Sequence, residues 1–140
     1  MGSPTDIFPV YCRYHAAAAT HAIPRQTILR HRASALEMDI LLQNPKFAQF
    51  TIWGAGRDGR QFFKALTNAG RERVVAFCDV DPTKIGTKYQ YFEHQVPVID
   101  WRAAVPPIIT CVALGRTGGA FEANLASLGL TEGVDFYYFC

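Results

Sequence analysis

Gly54, Gly56 and Gly59 form a G-x-G-x-x-G array directly after the apolar run Phe50–Trp53, and a second apolar run, Val74–Cys78, ends on Asp79, twenty residues past the third glycine. This spacing suits holding a diphosphate rather than breaking a bond. The first glycine permits a tight turn out of a strand. The second has no side chain to keep a pyrophosphate off the backbone. The third lets the following helix pack close to the strand. The helix start then offers unpaired N–H groups and a partial positive charge. Asp79 stands where a ribose hydroxyl would be held. The candidate binding set is therefore Gly54, Gly56, Gly59 and Asp79, with NAD as one possible ligand. Domains that keep this architecture and lack the dinucleotide carry the same opening, so a purely structural role fits the same residues.

Other chemistry is harder to assemble. Asp79-Val80-Asp81 is a D-x-D pair, the pattern with which many sugar-nucleotide transferases hold Mn²⁺ or Mg²⁺ between carboxylates and a diphosphate. Its place after the glycine array, with Pro82 behind it, also suits a ribose acceptor or a turn. His15 and His21 are six residues apart, which is not the i, i+4 spacing of a helical zinc pair. No Ser-His-Asp or Cys-His arrangement follows from spacing, so no catalytic residue is assigned.

The elements that must position these residues follow from periodicity. After Gly59, Phe62, Phe63 and Leu66 share one helix face, with Arg60, Lys64 and Thr67 turned away. Asn68-Ala69-Gly70 ends that helix, with Gly70 as its C′ residue. Asp81-Pro82-Thr83-Lys84 begins a turn or short helix that Gly86 closes. Lys88 to Gln95 reads as an exposed loop. Val96-Pro97-Val98-Ile99 is a short strand whose proline indicates an edge or a strand start. Asp100 caps a short helix through Ala104, and Pro106-Pro107 stops it. Ile108 to Leu114 is a continuous apolar run, as a central parallel strand covered on both faces requires. A second glycine-rich loop, Gly115 to Gly119, precedes a helix carrying Phe121, Leu125 and Leu128, which Gly129 ends. Phe136 to Phe139 is a last strand. Residues 46–140 thus read as an α/β domain, a Rossmann-like open parallel sheet of about five strands. Both glycine loops fall at the carboxyl edge of that sheet. They either face each other across one crevice or only make room for turns.

Residues 1–45 differ in character. From Ile7 to Leu36 there is no acid, but there are Arg13, Arg25, Arg30 and Arg32 and three histidines. This stretch could touch phosphate or RNA backbone, or could be a solvated face. Gln26 to Leu42 places Leu29, Ala33, Leu36 and Ile40 at helical spacing, so an amphipathic helix precedes the sheet and leans on it or on something absent. Ile7 to Tyr14 reads as a strand with no partner. Together they suggest that the chain begins inside another domain.

The 140 residues suit one domain and an appendage. A hydrophobic content of 49% and an aromatic content of 13% exclude a disordered protein, and a net charge of +2 excludes a strong polyanion binder overall. Cys12, Cys78, Cys111 and Cys140 form no C-x-x-C pair. This usage fits a reducing, cytoplasmic setting. Met1 to Ala22 lacks the basic start and apolar run expected of a signal peptide, and the sequence holds no run of about eighteen apolar residues that would suggest a membrane span.

Read in order, F-T-I-W-G-A-G-R-D-G-R-Q, V-V-A-F-C-D-V-D-P-T-K-I, V-P-V-I-D-W-R-A-A-V-P-P and C-V-A-L-G-R-T-G-G-A-F-E-A-N-L-A-S-L-G-L-T-E-G-V-D-F resemble the C-terminal domain of the queuosine-tRNA galactosyltransferases, also described as β-1,3-N-acetylglucosaminyltransferase-like proteins. The resemblance covers residues 47–140 without large gaps. Y-C-R-Y-H-A-A-A-A-T-H, Tyr11 to His21, is similar to the tail of a family 2 GT-A catalytic domain. The resemblance implies that residues 1–45 are that tail and a linker helix, and that His15 completes a metal site begun by a D-x-D elsewhere. It implies a parent enzyme that moves galactose from UDP-galactose, with Mn or Mg, to queuosine in tRNA. The partner would be the upstream catalytic domain of the same protein, with tRNA reached through Arg13, Arg25, Arg30 and Arg32. The front half of the GT-A domain has no counterpart in these residues, so this chain alone is expected to transfer no sugar. The alternative is a stand-alone nucleotide- or dinucleotide-binding regulatory module.

Overall fold

The computed structural model describes residues 24–140. Tyr11 to His21, including Arg13 and His15, and the expected Ile7–Tyr14 strand lie outside the described residues. Six strands form one sheet: β1 (Phe50–Trp53), β2 (Val74–Asp79), β3 (Lys88–Tyr91), β4 (His94–Asp100), β5 (Ile108–Thr110) and β6 (Phe136–Tyr138), in the order β3-β4-β2-β1-β5-β6. All neighbours pair parallel except β3, which runs antiparallel to β4. The chain builds outward from β1 through β2 to β4, then returns to the other side of β1 for β5 and β6. The direction of building therefore reverses between β1 and β5. This is a mixed α/β, mostly parallel open sheet, compatible with a Rossmann-like arrangement.

Every residue of β1 and β5 is buried, as expected for central strands covered on both faces. One face carries α1 (Arg25–Leu36) and α2 (Arg57–Ala65) over Phe47, Phe50, Ile52, Phe77, Ile109 and Tyr137. A short α3 (Asn68–Arg71) follows α2. The other face carries α4 (Ala120–Ser127), whose Phe121 and Leu125 pack with Trp53, Trp101, Ile108 and Phe136.

The expected amphipathic helix is α1, and it leans on the sheet domain itself. Ile28, Leu29, Ala33 and Leu36 are buried, and a π-helical turn, Glu37–Leu41, continues the helix and buries Ile40 and Leu41. Each fully buried leucine or isoleucine contributes about 1.5–3 kcal/mol, which is enough to fix this helix on the domain.

Five local expectations need correcting. Pro97 marks neither an edge nor a strand start: it lies mid-way along β4, which pairs with β2 on one side and β3 on the other. The Lys88–Gln95 segment is not a loop: it is β3 and the start of β4, joined at Phe92-Glu93, with Phe92 in the left-handed region at φ 51°. Tyr89 and Tyr91 alternate inward and meet Phe63 edge-on, which gives β3 a half-buried face. Gly70 does not end α2, which stops at Leu66. It lies inside α3, where a Cβ would overlap the Glu37 carboxylate. Helix α2 begins at Arg57, so Gly59 sits in its first turn rather than opening it. The Ile108–Leu114 run is a strand only to Thr110, because beyond Cys111 the chain turns out into the second glycine loop.

Candidate binding crevice

A cavity of about 400 Å³ opens at the carboxyl ends of β1 and β5, where the direction of sheet building reverses. Ligands of open α/β sheets bind at such a point. Both glycine loops contribute to it: Gly54, Gly56, Arg57 and Asp58 on one side, Arg116 and Thr117 on the other. The sequence left open whether these loops meet, and in the structure they line one crevice.

Three of the four expected binding residues line it, and each is placed by its backbone. Gly54 adopts φ +114°, a conformation that L side chains rarely take, and a Cβ there would lie 3.2 Å from the Cys111 carbonyl oxygen. Its N–H donates to the Cys78 carbonyl at 2.8 Å, which ties the turn to β2. Gly56 is the N-cap of α2, and the Lys84 ammonium lies 3.5 Å from where a Cβ of residue 56 would stand, an ordinary contact. Gly59 does not line the cavity. Its missing Cβ lets α2 approach β1, since a methyl there would overlap the Gly54 carbonyl oxygen.

Asp79 lines the crevice and is already engaged. Its Oδ2 accepts the Ala55 N–H at 2.8 Å, and its Oδ1 accepts from Val80 at 2.7 Å and Asp81 at 3.1 Å. The carboxylate therefore staples the first glycine loop to the end of β2, with lone pairs left over for a hydroxyl. Asp81 faces another way: its Oδ1 accepts both the Thr83 N–H and hydroxyl, and these bonds hold its pKa below the usual aspartate value. The D-x-D pair thus serves two separate turns, and among the described residues no three His, Cys, Asp or Glu side chains gather as a metal site.

Spacing alone missed the cations. Arg57, Lys84 and Arg116 all line the cavity. Lys84 lies in the Asp81–Lys84 turn and Arg116 in the second glycine loop, so the clue was a cation inside each punctuating loop. Asp58 was missed as well. It is only 7% exposed, and its Oδ2 accepts from Arg25 and Arg116, each at 3.2 Å. Of the arginines expected to meet RNA, Arg25 is thus paired with Asp58, while Arg32 is buried with its guanidinium over the Phe139 ring. Arg30 is exposed.

The apolar part of the wall comes from Val80, Val112 and Phe121. Trp53 lines it too, stacked on Trp101 at 5.5 Å and edge-on to Phe121 at 5.4 Å, which keeps that wall rigid. Cys111 also lines the cavity, but burial pushes its thiol pKa well up, so it is a poor nucleophile at neutral pH. The arrangement can hold an anion between helix α2 and three cations, with an apolar surface beside it.

No protein-family model matches the chain, and no solved structure matches it. What the fold and crevice define is a class: an α/β domain with a cation-lined cleft at the carboxyl edge of a mostly parallel sheet. Among the described residues, no helix is long and apolar enough to cross a membrane.

Proposed function

We propose that this chain is the C-terminal accessory domain of a queuosine-tRNA galactosyltransferase, inactive in sugar transfer by itself, and that its Rossmann-like crevice binds the phosphates of a nucleotide. One observation carries the reading. All the crevice-lining residues fall within three of the segments that carry the resemblance: Phe50–Gln61, Val74–Ile85 and Cys111–Phe136. The T-G-G-A-F-E-A-N-L stretch alone supplies Thr117, Ala120, Phe121 and Asn124. The residues that make the chain look like that family are thus the residues that build the cleft. In this reading the parent enzyme takes UDP-galactose with Mn or Mg in its own GT-A domain, whose metal site His15 completes.

The test is galactose transfer from UDP-galactose to queuosine-containing tRNA. The native polypeptide that carries this sequence should transfer sugar, and residues 1–140 alone should not. A native polypeptide of 15.6 kDa, or one that does not label queuosine-tRNA, overturns the transferase reading. The cation-lined crevice favours one second reading, a stand-alone nucleotide- or dinucleotide-binding module. That reading predicts the 15.6 kDa band together with tight binding of NAD or ADP-ribose.

A further inference from the structure

We infer that Arg116 is the residue that grips the anionic part of the crevice ligand, a phosphate of a nucleoside diphosphate, and that Asp58 is its resting partner, an internal carboxylate that competes with that phosphate. The inference rests on the nucleotide-binding reading above. Asp58 occupies the first turn of α2, next to the place a phosphate would take, and a bare carboxylate there would repel one. Two guanidiniums offset it, from opposite parts of the chain: Arg25 from α1 and Arg116 from the second glycine loop. A buried carboxylate that loses its only cation is costly, but one with two can release one. Arg25, at 3.2 Å from the same oxygen, stays behind when Arg116 leaves.

Of the two arginines, Arg116 lines the cavity and Arg25 does not, so Arg116 is the one placed to turn to a ligand. Its side chain is 57% exposed. Its loop is held at both ends, with the Gly115 N–H donating to Glu122 at 2.8 Å and the Thr117 hydroxyl accepting from the Phe121 N–H at 2.9 Å, so only the arginine side chain needs to swing. Arg57 and Lys84 already line the cavity, and a planar guanidinium adds a two-pronged hold on phosphate oxygens that an ammonium cannot give.

The test is titration calorimetry of the 140-residue chain with ADP-ribose and with UDP-galactose, on wild type, Arg116→Gln, Arg116→Lys and Asp58→Asn, with thermal unfolding as the check on folding. Arg116→Gln should weaken binding by about tenfold to a hundredfold, the range expected for a charge-assisted contact. Arg116→Lys should recover part of that loss as a point charge. Asp58→Asn should tighten binding several-fold. Because Arg116 is exposed, its variants stay informative even if Asp58→Asn does not fold. Wild-type binding that Arg116→Gln leaves unchanged overturns the role of Arg116 and leaves the nucleotide reading standing. Absence of binding to every variant with both probes overturns the nucleotide reading, and this inference with it.

Discussion

Replacing Gly59 by alanine puts the geometry of the first glycine loop to a quantitative test. Gly59 is helical and its φ is not in the left-handed region, so alanine there would ordinarily stabilise α2 by up to about 1 kcal/mol through helix propensity. The neighbours set the opposite sign. The new methyl would overlap the Gly54 carbonyl oxygen and lie 2.9 Å from its carbonyl carbon, with Ile52 Cγ2 at 3.5 Å. Carbon-to-oxygen contact normally begins at about 3.3 Å, so backbone must move, and no flexible side chain can absorb the clash. Overpacking against rigid atoms costs about 1–3 kcal/mol and sometimes more. Because the clash is with backbone, the upper end of that cost applies, and with the propensity gain subtracted Gly59→Ala should be destabilised by about 2 kcal/mol in urea unfolding at unchanged m-value. The displaced Gly54–Gly56 loop should also weaken binding of any crevice ligand. A Gly59→Ala protein as stable as wild type, or more stable, would refute the close approach of α2 to β1.

Asp79→Asn should cost about 1–3 kcal/mol, because the amide must either turn a donor toward the Ala55 N–H or give up the Val80 and Asp81 bonds; a urea midpoint equal to wild type would contradict the staple. Stability should fall in alkali. Burial raises the thiol pKa of Cys78 and Cys111 and pushes that of Cys140 up to about 11. A raised folded-state pKa means that the unfolded chain releases its protons first. The stabilisation is therefore whole below about pH 8.5 and is lost as pH rises toward 11, by at most about 1.4 kcal/mol per pH unit for each thiol. Cys140→Ser should make the decline measurably shallower, and an unchanged slope would contradict the burial of that thiol.

The parts of this fold legible in the sequence are those fixed by local period and turn chemistry. Phe62, Phe63 and Leu66 stand at helical spacing and are all buried on one face of the α2 segment. The glycine array opens a helix after a strand, and Asp100 caps a short 3₁₀ turn as its position indicated. Strand β3 escaped notice because Lys88 and Gln90 gave the segment a loop-like composition, while the Tyr89–Tyr91 alternation was the true signal. Its turn, Phe92-Glu93, also lacks the Asn-Gly or Asp-Gly chemistry that announces a hairpin. Gly70 was misread for a different reason. A glycine near a helix end usually supplies a left-handed residue, whereas here it makes room for Glu37, whose carboxylate accepts from the Thr67 N–H at 2.9 Å and hydroxyl at 2.6 Å. The pairing of Asp58 with Arg25 and Arg116 is of the same kind. It joins α1, the first glycine loop and the second, and no spacing rule reports a contact made only by tertiary packing.

The most direct test of the crevice is a two-dimensional amide NMR titration of the ¹⁵N-labelled chain with ADP-ribose and, separately, UDP-galactose. At least one of them should shift amides in three clusters, around Gly54–Asp58, Asp79–Lys84 and Arg116–Asn124, while α1 beyond its first turn and the β3–β4 hairpin tip stay unmoved. A spectrum unchanged at millimolar concentrations of both nucleotides, or shifts gathered elsewhere on the surface, would contradict binding in the crevice.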